Sequence, residues 1–290
     1  MLEIKSAKIL SSETKQSANE LFAAVHRTDN TFFKPNLTND SGVIESITPY
    51  FWIEKDGNVS SLLAIFVEGY ESNYVANAWL MTCPDDRDQG YATALVEAAK
   101  AELKVHNIDE LVFMSETAFL DQNEWFVEKY NLIEPLASAY EMKLDKLVEP
   151  QKSWIEVRLA SLVDLELVAE LHSVIYSVPR EATTCSAKKD LSDENTRCFV
   201  FYKDNVGIGL VKVDLANQSA YIHTVGILEG YRGKGYAQEG LVQVIKAIQK
   251  ETSAIPTIQV RSQNIVAIKV YEKIGFKVRT IYNWFATSSK

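Results

Sequence analysis

The stretch Glu229-Gly-Tyr-Arg-Gly-Lys-Gly-Tyr-Ala237 lies between an apolar run and a helical pattern. Its glycines let backbone N–H groups close in on an anion. The helix that follows adds unpaired N–H donors and the positive end of its dipole. Arg232 and Lys234 contribute charge, so the segment reads as a cradle for a pyrophosphate. A Walker loop is excluded, because Tyr236 and Ala237 stand where Lys and Ser or Thr are required. A dinucleotide fingerprint is excluded as well: Gln238 replaces its third glycine, and the preceding strands read as a meander rather than a βαβ unit.

Ala237, Leu241, Val244, Ile245 and Ile248 mark one face of a helix after the loop. The loop also has an echo. Arg87-Asp-Gln-Gly-Tyr-Ala92 aligns with Arg232-Gly-Lys-Gly-Tyr-Ala237 at an offset of 145 residues, and Glu128-Lys129 aligns with Glu272-Lys273 at 144. Both halves then read as one series. A strand (2–9; 154–159) precedes a helix (12–26; 162–176) and a three-strand meander (51–54, 59–68, 74–82; 198–202, 206–215, 220–228). The loop and its helix follow, then a strand (110–115; 257–261), a helix (123–130; 265–274) and a terminal strand. Gly275 suits a left-handed helix C-cap. The expected fold class is α+β: two domains, 1–148 and 153–290, each a mixed, largely antiparallel sheet flanked by helices. The polar segment 147–153, with Pro150, reads as the linker.

Arg232-x-x-Gly235-x-Ala237 resembles motif A of the GNAT superfamily of N-acetyltransferases. Asn264-Ile-Val-Ala-Ile-Lys-Val-Tyr-Glu-Lys-Ile-Gly-Phe276 resembles that family's second cofactor segment. The resemblance covers the C-terminal half and, in outline, the N-terminal half, as in a tandem GNAT protein. It implies acetyl-coenzyme A as co-substrate and acetyl transfer to a primary amine of a small molecule or peptide. It implies that the backbone of Val225, Gly226 and Ile227 pairs with the pantetheine arm, and that Arg232, Gly233, Lys234, Gly235, Tyr236 and Ala237 hold the pyrophosphate. Asn264 would bond the cofactor near the pantetheine, and Tyr271 would serve as general acid beside the sulfur. The residues themselves leave a second reading open, since Tyr271 shares a helical face with Ala267, Val270 and Ile274 and suits a packed core. Where N-terminal acetyltransferases of this family often carry a glutamate base, this chain has Gln259. His223 is the candidate base by its chemistry, against the plainer reading of a structural histidine in a strand.

Composition bounds the rest. With 290 residues, 47% apolar and 24% charged, the chain has material for two cores. Three cysteines without CxxC spacing and four scattered histidines point to reduced thiols and to no metal centre. Residues 1–149 hold 12 Lys and Arg against 25 Asp and Glu, a net −13, whereas the remainder carries +4. The acidic half argues against a nucleic-acid partner, and the basic half is the better host for a polyanionic small molecule. No apolar run approaches the roughly 20 residues that span a bilayer, and no leader pattern is visible, so a cytoplasmic protein without a membrane partner is expected. In the N-terminal loop, Asp85, Asp86 and Asp88 face the position of a pyrophosphate, and Val127 stands near the place of Tyr271. That half is expected to be structural or substrate-binding. Three functions stay open: an acetyltransferase, a coenzyme A-binding regulatory module without turnover, and an interaction protein.

Overall fold

The computed structural model describes residues 2–35, 37, 42–70, 73–129, 134–150, 154–216 and 219–286. Tyr130, at the end of a predicted helix, and 151–153 of the predicted linker lie outside the described residues.

Strand β1 (Lys5–Ala7) leads into α1 (Ser12–Asp29). Ser11 caps that helix by accepting from the Thr14 N–H, and left-handed Asn30 (φ 53°) ends it. An antiparallel meander of β2 (Tyr50–Lys55), β3 (Asn58–Tyr70) and β4 (Asn73–Thr82) follows. Next come α2 (Tyr91–Val105), β5 (Leu111–Glu116), two short helices α3 (Thr117–Gln122) and α4 (Glu124–Lys129), and β6 (Ala137–Leu144). The second pass comprises β7 (Glu156–Leu159), α5 (Leu165–Tyr176), α6 (Arg180–Ser192), β8 (Thr196–Lys203), β9 (Val206–Ala216) and β10 (Ser219–Ile227). It ends with α7 (Tyr236–Glu251), β11 (Ile255–Arg261), α8 (Ile265–Ile274) and β12 (Phe276–Ala286). The periodicity gives no hint of α6. Its buried positions are Thr183 and Ala187, which carry almost no hydrophobic signal.

The chain forms two compact units, Met1–Ser138 with Thr280–Lys290, and Ala139–Arg279. The sequence reading puts the divide at 147–153. The difference arises because the last strand of each half hydrogen-bonds in the other unit: β6 pairs with β11, and the end of β12 pairs with β5. Periodicity marks a strand but not its partner.

In unit 1 the strand order is β1-β2-β3-β4-β5-β12, antiparallel except for β4 and β5. Side-chain alternation separates two cores. Tyr50, Trp52, Leu62 and Ala64 pack with Ala18, Leu21, Phe22 and Val25 of α1. Phe51, Ile53, Leu63 and Ile65 pack with Leu95, Val96, Ala99 and Leu103 of α2.

Unit 2 has the order β6-β11-β10-β9-β8-β7, and only β10 and β11 are parallel. Helices α7 and α8 bury Leu241, Ile245, Ile248 and Ile274 on one face, against Phe201, Val211, Val213 and Ile222. Helices α5 and α6 bury Val168, Leu171 and Ala187 on the other, against Cys198, Val200 and Leu210. The cap expected at Gly275 is present, at φ 108°, with its N–H bonded to the Tyr271 and Glu272 carbonyls.

Two buried carboxylates tie distant segments together. Glu239 on α7 accepts from the N–H groups of Trp154 (2.5 Å) and Ile155 (2.8 Å), which precede β7. Glu116, 4% exposed at the end of β5, accepts from the N–H groups of Phe32 and Phe33 (both 2.8 Å) and from Thr280 Oγ1 (2.6 Å) on β12. Glu116→Ala strands these donors, at about 3 kcal/mol. The melting temperature should fall by about 5–10 °C. A melting temperature equal to wild type would show that Glu116 does not secure the exchanged strand.

Candidate functional site

Strand β10 runs into a 3₁₀ turn (Glu229–Tyr231), extended Arg232 (φ −67°, ψ 160°), Gly233 at φ 75° and Gly235 at φ 83°, and then α7. The positive φ values account for both glycines. No side chain caps α7. A Cβ built on Gly233 or Gly235 meets nothing within 4 Å, so the space before the helix is open. Arg232 folds back, its Nε donating to the Ile227 carbonyl at 2.8 Å, and exposed Lys234 donates to the Gly230 carbonyl at 3.0 Å. Tyr236 and Ala237 start the helix and pack on the core. Uncapped N–H groups, two cations and open space are what an anion requires.

The approach to this loop is distorted. The register of β10 with β9 shifts between His223 and Gly226, and Thr224 sits at φ 50°. A β-branched residue in the left-handed region costs about 1–3 kcal/mol, and such strain collects at functional sites. The bulge removes Thr224 and Val225 from the ladder. The Val225 carbonyl accepts from the Tyr176 hydroxyl at 2.8 Å, and the Ile227 carbonyl is taken by Arg232. Gly226 is needed for close approach, because a Cβ there meets Ile175 Cγ2 at 2.4 Å. Burial pushes the Tyr176 hydroxyl up to about 12, so it remains a donor at neutral pH.

Beside the bulge, one face of the sheet is polar. His223 Nε2 lies 3.2 Å from Asp214 Oδ2 on β9, within ion-pair range but out of line for a hydrogen bond. Its Nδ1 lies 3.0 Å from Thr224 Oγ1, and its ring stacks on Tyr221 at 5.6 Å. Contact with His223 holds the Asp214 carboxyl below the usual range. Gln259 pairs across strands with Glu141 of β6, whose Oε1 lies 3.1 Å from Arg279. The exchanged strand therefore brings a carboxylate next to the position where the sequence offers only Gln259. Neither Asp214 nor Glu141 has a motif. The first follows from the β9–β10 hairpin register, and the second requires knowledge of the strand exchange.

Tyr271 is 7% exposed and packs edge-on against Phe276 at 6.2 Å. Burial raises its hydroxyl, with Tyr176 and Tyr221 close enough to add to the effect. The ring is thus part of the core, as its helical face suggests, and its hydroxyl lies near Tyr176 and Tyr221. Asn264 is the N-cap of α8, its Oδ1 accepting from the Ala267 N–H at 3.1 Å.

The unit 1 loop follows the same backbone path. A 3₁₀ turn (Pro84–Asp86), extended Arg87 (φ −65°, ψ 161°), Asp88 at φ 64° and Gly90 at φ 79° precede an uncapped α2. The chemistry differs. Arg87 is engaged by Asp29 through two hydrogen bonds (2.9 and 2.6 Å), and Asp86 by Lys55 and Ser60. The register of β3 with β4 is unbroken from Ser61 and Thr82 to Tyr70 and Asn73, so β4 has no counterpart of the β10 bulge.

Residues 165–276 match the family model described as the acetyltransferase (GNAT) family. Over 60 residues, 21% of this chain, it is 37% identical to the uncharacterized N-acetyltransferase YycN of Bacillus subtilis, and this match spans 38% of that relative's length. Among solved structures, a GCN5-related N-acetyltransferase from Sphaerobacter thermophilus is similar at a TM-score of 0.76 and 14% identity, over 98% of this chain and 95% of that one. A GNAT-family acetyltransferase from Colwellia psychrerythraea gives 0.69 at 14% identity, over 99% and 100%. A tandem GNAT protein from the clavulanic acid biosynthesis pathway gives 0.74 at 11%, over 99% and 100%. At these identities the likeness is one of fold: a GNAT-like α+β architecture of mixed sheet flanked by helices, over nearly the whole chain.

His172 on α5 packs beside Tyr176. Its ring meets Tyr176 edge-on at 5.4 Å, and among the described residues its buried Nδ1 has no hydrogen-bond partner. Burial, then nearby Lys212, lowers its pKa. A histidine depressed in the folded state stabilises fully above its unfolded pKa of about 6.5, and that contribution is lost as pH falls toward the folded value. His172→Phe keeps the ring contact and removes the titration. Melting temperatures of wild type and variant should diverge in the variant's favour below about pH 6.5. Parallel curves would contradict the assignment.

Proposed function

We propose that this chain is an acetyl-coenzyme A-dependent N-acetyltransferase of the GNAT family, acting on a primary amine of a small molecule or peptide, with its chemistry in unit 2. The observation that carries the reading is the bulge at Thr224 and Val225 placed directly before an uncapped, glycine-held helix N-terminus. The family match at 165–276 supports it. Bound acetyl-coenzyme A supplies the acetyl group as a thioester, which an uncharged amine attacks with departure of a thiolate. Arg232, Lys234 and the N–H groups at the start of α7 hold the pyrophosphate. The amide of Asn264 is close to the pantetheine, and the backbone of the bulge pairs with that arm and donates to the acetyl oxygen as it gains negative charge.

Asp214 gives the polar face an acidic group beside His223, which draws an ammonium acceptor toward it, while Glu141 is paired with Arg279. His223, backed by Asp214, takes the proton that the amine must shed. Tyr271 stays protonated near neutral pH. With its pKa above 10, complete proton transfer to a thiolate of ordinary pKa, about 8.5, is uphill by about 2 kcal/mol or more. Its role is therefore hydrogen-bond donation to the departing sulfur, and the amine's proton reaches the sulfur through His223 and solvent.

Thiol release from acetyl-coenzyme A, followed across a panel of primary amines, tests the reading directly. At least one amine should accelerate release. Binding of the thioester with no amine-dependent release would point to a module without turnover, and absence of binding to an interaction protein. With the best amine, Tyr271→Phe should lower kcat by about 10–100-fold and leave affinity for the thioester little changed, the value of one hydrogen bond to a charged group. An unaltered kcat would place Tyr271 in the core alone. Arg232→Ala with Lys234→Ala should weaken binding by about 2–4 kcal/mol, toward the lower end because Lys234 is exposed. Unchanged affinity in that double variant would move the cradle elsewhere.

A further inference from the structure

Unit 1 keeps the slot but not its charge. Strands β4 and β5 pair only from Ala76–Ala78 with Leu111–Phe113, and beyond that point they part around a cavity of about 110 Å³. Its walls include Phe33 stacked on Trp79 at 5.6 Å, Phe119 edge-on to Phe126 at 5.3 Å, Phe113 and Trp125. The space is on the scale of the roughly 150 Å³ apolar cavity that accepts benzene.

Of the polar residues in the lining, Arg87 is held by Asp29 and Lys129 lies over the Trp125 ring, which leaves Thr31 and Glu116 as the two features that bear on a ligand. Thr31 is 6% exposed and lines the cavity, and among the described residues its Oγ1 has no hydrogen-bond partner. A buried hydroxyl without a partner costs about 1–3 kcal/mol, which a ligand atom would recover. The second feature is Glu116, which lines the same cavity. All its hydrogen-bond contacts come from neutral donors, two backbone N–H groups and the Thr280 hydroxyl, and among the described residues it has no ion pair. This is the acceptor-only pattern of an ionised carboxylate. Its charge is left without a counter-ion beside Thr31, while Asp29 is already neutralised by Arg87.

We propose that this cavity binds a small aromatic amine, its ring among the aromatic walls and its ammonium donating to Thr31 Oγ1 next to Glu116. A polyanion is disfavoured, because Arg87 is engaged and Asp88 stands at the mouth where unit 2 has Gly233.

The experiment uses the full chain labelled with 5-fluorotryptophan and fluorine NMR, with Trp79 and Trp125 assigned by Trp→Phe variants. Phenethylamine, ethylbenzene, phenylacetate and acetyl-coenzyme A are the probes. Phenethylamine should shift the Trp79 and Trp125 resonances in a saturable way, ethylbenzene more weakly, and the two anions should leave both unmoved. Thr31→Val should weaken phenethylamine about 3- to 10-fold with ethylbenzene unaffected, and Thr31→Ser should retain wild-type affinity. If Thr31→Val does not fold, Glu116→Gln gives the same reading through selective loss of the amine. The proposal is overturned if phenethylamine leaves Trp79 and Trp125 unmoved, if phenylacetate or acetyl-coenzyme A moves them equally, or if the variant that folds binds phenethylamine as wild type does.

Discussion

A helix that begins with no capping side chain leaves N–H donors exposed, and α7 begins this way because Gly235 holds the chain at φ 83°. Much of unit 2 is arranged around those donors. The preceding 3₁₀ turn and extended Arg232 bring the chain round to them, and the Arg232 side chain braces the turn against Ile227. On the other side of that brace β10 breaks register, with Thr224 strained and the Val225 carbonyl held by Tyr176. Cradle and distorted strand are thus coupled through a few residues, and a change at Gly226 or Tyr176 reaches both.

Unit 1 shows that this backbone path is not sufficient. Its loop repeats the dihedral angles of the unit 2 loop within about 11° at Arg87, Asp88 and Gly90. Yet the arginine is spent on a buried aspartate, another aspartate takes the first left-handed position, and the strand beside it keeps its register. Charge and the bulge separate the two copies, whereas loop geometry does not. A shared scaffold with divergent side chains allows one unit to receive a polyanion and the other a different class of ligand.

The repeated strand and helix order was legible because side-chain alternation and helical periodicity are local signals. So were the glycine loop before α7, the Gly275 cap and the burial of Tyr271 on its helical face. Helix α6 was not, since Thr183 and Ala187 form its buried face. The strand exchange was hidden for a different reason: β6 and β12 read as ordinary strands, and their partners are set by long-range pairing. Glu141 was therefore missed as a neighbour of Gln259, and Asp214 as a neighbour of His223. The strain at Thr224 is equally silent, because threonine is a favoured strand residue and nothing in its flanks announces a positive φ.

If the unit 2 loop binds acetyl-coenzyme A and its backbone match in unit 1 does not, calorimetric titration of wild type, Gly235→Val and Gly90→Val separates the two. The two substitutions impose the same left-handed strain on equivalent positions, so a loss of binding specific to one of them locates the site. Wild type and Gly90→Val should each bind one molecule per chain, and Gly235→Val should bind none. Two molecules per wild-type chain, or loss of binding in Gly90→Val with Gly235→Val intact, would contradict the claim.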